Sequence, residues 1–107
     1  MSATTERYVA VARVGDIPEG GVMVVRIEDQ PIAVFLLDGA YYALDDVCTH
    51  DGGPLAEGFI EGGEIECPRH GARFDIRTGA VLCLPATAPV ARYDVRVEDG
   101  AIQVRWS

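Results

Sequence analysis

The sequence predicts an all-β chain: an antiparallel β-sandwich or barrel base that carries a loop-rich segment from about residue 45 to residue 85. Three observations predict it. Alternating and β-branched runs fill both ends of the chain, each bounded by a turn signal. No stretch carries a 3.6-residue apolar period. Seven of the twelve glycines fall between Gly52 and Gly79, so the middle should hold short strands and long loops.

The elements follow in order. Tyr8-Val9-Ala10-Val11-Ala12 reads as a first strand, stopped by Gly15-Asp16-Ile17-Pro18. Gly20-Gly21 opens the second run, Val22 to Ile27, and Glu28-Asp29-Gln30 turns the chain into Ile32 to Leu37. Asp38-Gly39, a strong hairpin dipeptide, leads to Tyr41-Tyr42-Ala43-Leu44. These runs are expected to form an antiparallel meander. Beyond the glycine-rich middle, Tyr93, Val95 and Val97 alternate with Arg92, Asp94 and Arg96. After the turn at Glu98-Asp99-Gly100, Ile102, Val104 and Trp106 keep the period of two. The last strands are expected to close the sheet against the first. At 107 residues the chain, 1–107, is read as one domain with one core.

The formal net charge is -8, and all nine cations are arginines. An acidic chain argues against nucleic acid or an anionic membrane as partner. No run of about 18 apolar residues is present, and the first residues lack the pattern of a secretory signal. A cytoplasmic, monomeric protein is expected. Asp45, Asp46, Asp51, Glu57, Glu61, Glu64 and Glu66 all precede the first nearby cation, Arg69. They make either a solubilising surface or a docking field for partners with basic faces.

Two short runs carry the chemistry. Cys48-Thr49-His50 and Cys67-Pro68-Arg69-His70 contain both histidines and two of the three cysteines. Each couples a soft sulfur donor with an imidazole at close spacing, so each can place two ligands on one metal site. Zinc fingers usually keep like ligands together, Cys with Cys and His with His, whereas both pairs here are mixed. A structural zinc site stays open as an alternative. Cys83 lies in the apolar run Val81-Leu82-Cys83-Leu84 and is expected to be a buried thiol packing as a small hydrophobe. The chain has no spare histidines for a mononuclear iron, no nucleotide-binding glycine motif and no Ser-His-Asp set.

The mixed pairs do not stand alone. Gly52-Gly53-Pro54-Leu55 follows the first and Gly71 the second; Arg73-Phe74-Asp75, Thr78-Gly79 and Leu84-Pro85-Ala86-Thr87-Ala88-Pro89 come after. In this order, over about residues 45–90, these landmarks resemble the small Rieske-type ferredoxins. The resemblance implies one [2Fe–2S] cluster, with Cys48 and Cys67 on the inner iron and His50 and His70 on the outer one. It implies that residues 45–85 are a cluster-binding subdomain set into a Rieske-like β base. It further implies an electron carrier rather than an enzyme, like the ferredoxin component of bacterial ring-hydroxylating dioxygenase systems. Its transient partners would be a flavin-dependent ferredoxin reductase that uses NAD(P)H and a terminal oxygenase. The small subunit of assimilatory nitrite reductase and ferredoxins of other oxygenase or metabolic systems share the pattern, and a zinc-stabilised binding module is the rival from another class.

Departures from the pattern bear on the potential. High-potential respiratory relatives carry an extra cysteine in each ligand loop, where this chain has Gly53 and Arg69. They also place a serine and a tyrosine that donate to sulfur, where this chain has Ala72 and Phe74. Such hydrogen bonds stabilise the reduced state, so their absence implies a low-potential centre. Arg69 and Arg73 are candidates to offset this, and Pro85 and Pro89 to shape a segment covering the cluster.

Overall fold

The computed structural model describes residues 7–48, 53–68, 71–83 and 88–106. Eleven strands and no helix occur among them: β1 (Tyr8–Arg13), β2 (Val22–Ile27), β3 (Gln30–Leu37), β4 (Ala40–Asp45), β5 (Phe59–Glu61), β6 (Glu64–Glu66), β7 (Arg73–Asp75), β8 (Val81–Cys83), β9 (Arg92–Tyr93), β10 (Val95–Glu98) and β11 (Ala101–Arg105). They form three antiparallel sheets, ordered β1-β11-β10, β2-β3-β4-β9 and β5-β6-β7-β8.

Four tight hairpins set the registers. Glu28-Asp29, Asp38-Gly39, Gly62-Gly63 and Asp99-Gly100 all have positive φ at both central positions. That is the primed turn whose twist matches the flanking strands. Only the first lacks a glycine. There the Arg26 guanidinium donates to the Asp29 carbonyl at 3.0 Å and Arg7 donates to the Glu28 carboxylate at 2.9 Å. Arg7 and Trp106 together hold the Glu28 carboxyl below its ordinary pKa.

β3 is the hinge of the architecture, buried on both faces. Its even residues Ile32 and Val34 meet Ile102 and Val104 of β11, with Ile17 and Ile27, in the core between the two larger sheets. Its odd residues Ala33, Phe35 and Leu37 face a second core shared with the small sheet through Ile65, Phe74 and Ile76. Period-two alternation in one strand therefore splits the molecule into a base and a smaller layer above it.

β2, β3 and β4 form the expected meander, but β1 leaves it to pair with β11, so the base is two sheets rather than one. The terminal strands close on the early ones as the alternation predicts, β11 on β1 and β9 on β4. Val97 departs from the pattern. Tyr93 and Val95 pack against the base core, whereas Val97, on the edge strand β10, is largely exposed.

Among the described residues no helix is long and apolar enough to cross a membrane. Strands β5 to β8 have three residues each, the short-strand regime that the glycine content of this stretch predicts.

Candidate metal centre

Cys48 lies three residues beyond the end of β4, and Cys67 directly follows β6. Both are buried, at 0% and 1% exposure, in the same core cluster, walled by Leu55, Ile65, Ala72 and Phe74. Segments nineteen residues apart thus contribute two sulfur donors to one apolar core cluster.

Each thiol sits at the stem of a backbone-closed loop. The Cys48 amide donates to the Gly53 carbonyl at 2.8 Å. The Cys67 amide donates to the Ala72 carbonyl at 2.7 Å, and the Gly71 amide returns to the Cys67 carbonyl at 3.1 Å. Gly71 has φ 79°, a conformation that favours glycine, so the second turn can close this tightly.

The loops are braced from outside. Buried Asp46 accepts from the Ala56 amide at 2.6 Å, and its own amide donates to the Pro31 carbonyl of β3 at 3.1 Å. Arg73 donates to Glu64 at 3.1 Å and to Glu66 at 2.8 Å, clamping β6 to β7 at the base of the second turn. Bonding to Glu64, with the charge of Glu66, raises the Arg73 pKa further. A Cβ at Gly58 would overlap the Glu66 carbonyl oxygen, so the backbone of the two segments is in direct apposition there.

The donor set fits a metal centre. A thiolate in apolar surroundings is expensive unless a cation neutralises it, and two such sulfurs in one core cluster, each closed by backbone hydrogen bonds, suit shared ligation. Among the described residues no group of three or more His, Cys, Asp or Glu side chains is arranged to hold a metal. His50 and His70 lie outside the described residues, as do Asp51, Gly52, Arg69 and Pro85.

Three expectations change with the structure. Cys83 is exposed, not buried. β8 is an edge strand with a register shift against β7, and this leaves Leu82 46% exposed and Cys83 outward, its thiol 3.5 Å from the Gly71 carbonyl. Arg73 is engaged by Glu64 and Glu66 across the strands. The acidic run is also not one uniform field. Asp46 is buried, Asp45 accepts from Tyr93 and Gln30, and Glu64 and Glu66 bind Arg73, which leaves Glu57 and Glu61 as the exposed carboxylates of the run among the described residues.

Ala72 and Phe74 are both fully buried beside the cysteines, with no side-chain donor between them. A hollow of about 410 Å³ lies elsewhere, at the Gly62-Gly63 turn, lined by Glu19, Leu37, Asp38, Ile60 and Arg77. It includes neither cysteine. The brace at Asp46 and the abutment at Gly58 had no sequence signal. The Arg73 clamp did, since Glu64-Ile65-Glu66 alternates and must put both carboxylates on one face of its strand.

Comparison with known proteins agrees over more than nine-tenths of the chain. Residues 7–94 match the Rieske [2Fe-2S] domain. The ferredoxin component of the naphthalene 1,2-dioxygenase/salicylate 5-hydroxylase systems of Ralstonia sp is 40% identical over 94% of this chain and 97% of its own. Among solved structures, the ferredoxin of carbazole 1,9a-dioxygenase from Nocardioides aromaticivorans IC177 superposes with a TM-score of 0.87 at 34% identity, covering 92% of this chain and 96% of that one. A chain in the complex of reduced oxygenase and oxidized ferredoxin of carbazole 1,9a-dioxygenase gives a TM-score of 0.86 at 33% identity, covering 94% of each. Two buried cysteines in one core cluster, the family match over residues 7–94 and similarity to ferredoxin components over nine-tenths of the chain lead to one conclusion: the chain belongs to the Rieske [2Fe–2S] domain family.

Proposed function

We propose that this protein is the ferredoxin of a ring-hydroxylating oxygenase system. It takes single electrons from an NAD(P)H-dependent flavin reductase and passes them to a terminal oxygenase. The observation that carries the reading is similarity from end to end with proteins that are themselves ferredoxin components. The chain is an electron-transfer protein and does not transform the organic substrate. It works in the cytoplasm.

Cys48 and Cys67 would hold one iron of the cluster and His50 and His70 the other. Burial of both thiols in one core cluster, and the sequence position of each histidine two or three residues after a cysteine, support this assignment. Bound there, the [2Fe–2S] cluster supplies one reversible electron per cycle, with two neutral imidazoles lifting its potential above that of all-cysteine ferredoxins. Residues 45–85 form the cluster-binding subdomain, inserted into the β base between β4 and β9.

The chain's own residues set the rest. Leu55, Ile65 and Phe74 keep water from the thiolate side. Asp46 and the Arg73 clamp hold the two turns at fixed spacing, so oxidation and reduction require little rearrangement. Ala72 and Phe74 offer no hydroxyl to the sulfurs, which keeps the potential low.

The test is reconstitution. Cluster-loaded protein mixed with NADH, a flavin reductase and an oxygenase of an aromatic dioxygenase system should support substrate-dependent NADH oxidation. Omission of the protein should abolish it. Turnover at the same rate without the protein would refute the role.

A further inference from the structure

Phe59 is 70% exposed, more than any other large apolar side chain among the described residues. We propose that Phe59 is the anchor on which the terminal oxygenase docks, entering an apolar pocket of the oxygenase rimmed by cationic side chains. The inference rests on the carrier role above and names the docking residue for it.

Position comes first. Phe59 pairs with Glu66, the residue before Cys67, so it stands one strand spacing, about 4.8 Å, from the stem of the second ligand turn. A partner seated on the ring is brought against the part of the molecule that carries the electron.

The ring cannot turn inward. Phe59, Glu66, Arg73 and Cys83 are successive cross-strand partners and share one face of the small sheet. The other face, with Ile60, Ile65 and Phe74, fills the core.

The anchor is also held still. Its neighbour Gly58 donates to the Leu55 carbonyl at 3.0 Å and abuts the Glu66 carbonyl and the Pro68 ring, leaving no room for a Cβ. A phenyl with two side-chain torsions on a fixed backbone loses little entropy on binding, which is the property of an interface anchor.

Charge selects the occupant. Glu57 and Glu61, two residues to either side, are both exposed, and neither makes an ion pair among the described residues. An apolar ring between two carboxylates, on a chain of net charge -8, complements a cation-rimmed apolar pocket. A chain similar to this one along 94% of its length has been seen in complex with an oxygenase, so the oxygenase is the partner we assign.

The experiment is stopped-flow mixing of dithionite-reduced, cluster-loaded protein with the oxygenase of a naphthalene 1,2-dioxygenase system. For Phe59→Ala the half-saturating oxygenase concentration should rise about tenfold. Reduction potential, EPR spectrum and melting temperature should stay at wild-type values, and Phe59→Leu should recover most of the affinity. Glu57→Gln with Glu61→Gln should slow association at low ionic strength and flatten its salt dependence. Equal half-saturation for wild type and Phe59→Ala overturns the anchor while leaving the carrier role intact. A wild type that reduces no oxygenase defeats the carrier role and the anchor with it. Sedimentation showing a dimer that Phe59→Ala dissolves would assign the face to a second copy of the chain and overturn the oxygenase.

Discussion

The Asp46 carboxylate accepts a 2.6 Å hydrogen bond from the Ala56 amide, joining the two ends of the segment that begins with Cys48. Asp46 is itself buried and hangs from β3 through its own amide, so the segment carrying Cys48 is tied directly to β3.

Asp46→Ala should therefore leave a half-buried amide without its acceptor and loosen the loop. A lost hydrogen bond to a charged group predicts destabilisation of about 1.5–3 kcal/mol in denaturant titration of the loaded protein. Bleaching of the visible cluster absorbance in the presence of a chelator should quicken. Asp46→Asn keeps an acceptor oxygen and should recover a large part of both losses.

Tyr93 gives a test at alkaline pH. Its hydroxyl donates to Asp45 at 2.6 Å, its ring stacks on Trp106 at 5.5 Å, and burial followed by that carboxylate pushes its pKa up to about 12 from 10.0. A group whose pKa is raised on folding contributes its stability fully below its unfolded pKa and loses it as pH rises through the folded value. The contribution should be intact below pH 10 and decline towards pH 12. After allowance for solvent screening it amounts to about 1 kcal/mol. Tyr93→Phe should remove this decline, measured as urea midpoints across that window.

How much of this was legible in the sequence depends on how local each cause is. β2 matches its predicted bounds because β-branched residues run between clear turn signals, and Asp38-Gly39 and Asp99-Gly100 adopt the hairpin conformation their composition implies. The departure of β1 from the meander was not legible, since its alternation is satisfied equally by β2 or β11 as neighbour. Cys83 misled because an apolar run reads as buried, and only tertiary placement shows that β8 is the irregular outer strand. Motif spacing singled out Cys48 and Cys67, and the structure buries both in one core cluster. The alternation Glu64-Ile65-Glu66 placed two carboxylates on one strand face, but the choice of Arg73 as their partner, the Asp46 brace and the exposure of Phe59 depend on which strands meet, and no local pattern encodes that.

Ala72 and Phe74 carry the prediction about potential. Both are buried against the cysteine pocket, and Phe74 is packed between Ile65 and Val81 as its cross-strand neighbours. The wild-type potential should fall near the low end of the Rieske range, close to about -150 mV. Ala72→Ser and Phe74→Tyr each add one hydroxyl at nearly constant volume. A hydrogen bond to sulfur of roughly 1–2 kcal/mol in the reduced state would raise the potential by about 40–90 mV. The two shifts need not add, because both act on one small cluster. Protein-film voltammetry at fixed pH checks this. Cluster-loaded variants with unchanged potentials would show that these positions do not set the redox level.

Mixed ligation by Cys48, His50, Cys67 and His70 is tested by EPR of the dithionite-reduced protein. Mixed ligation should give a rhombic signal whose average g value lies below that of all-cysteine [2Fe–2S] ferredoxins, with about two irons and two labile sulfides per chain. The signal should vanish in an alanine variant of any of the four residues and persist in Cys83→Ser. A signal with the average g of an all-cysteine cluster, a stoichiometric zinc ion in place of iron, or loss of the cluster in Cys83→Ser but not in Cys48→Ala would contradict it.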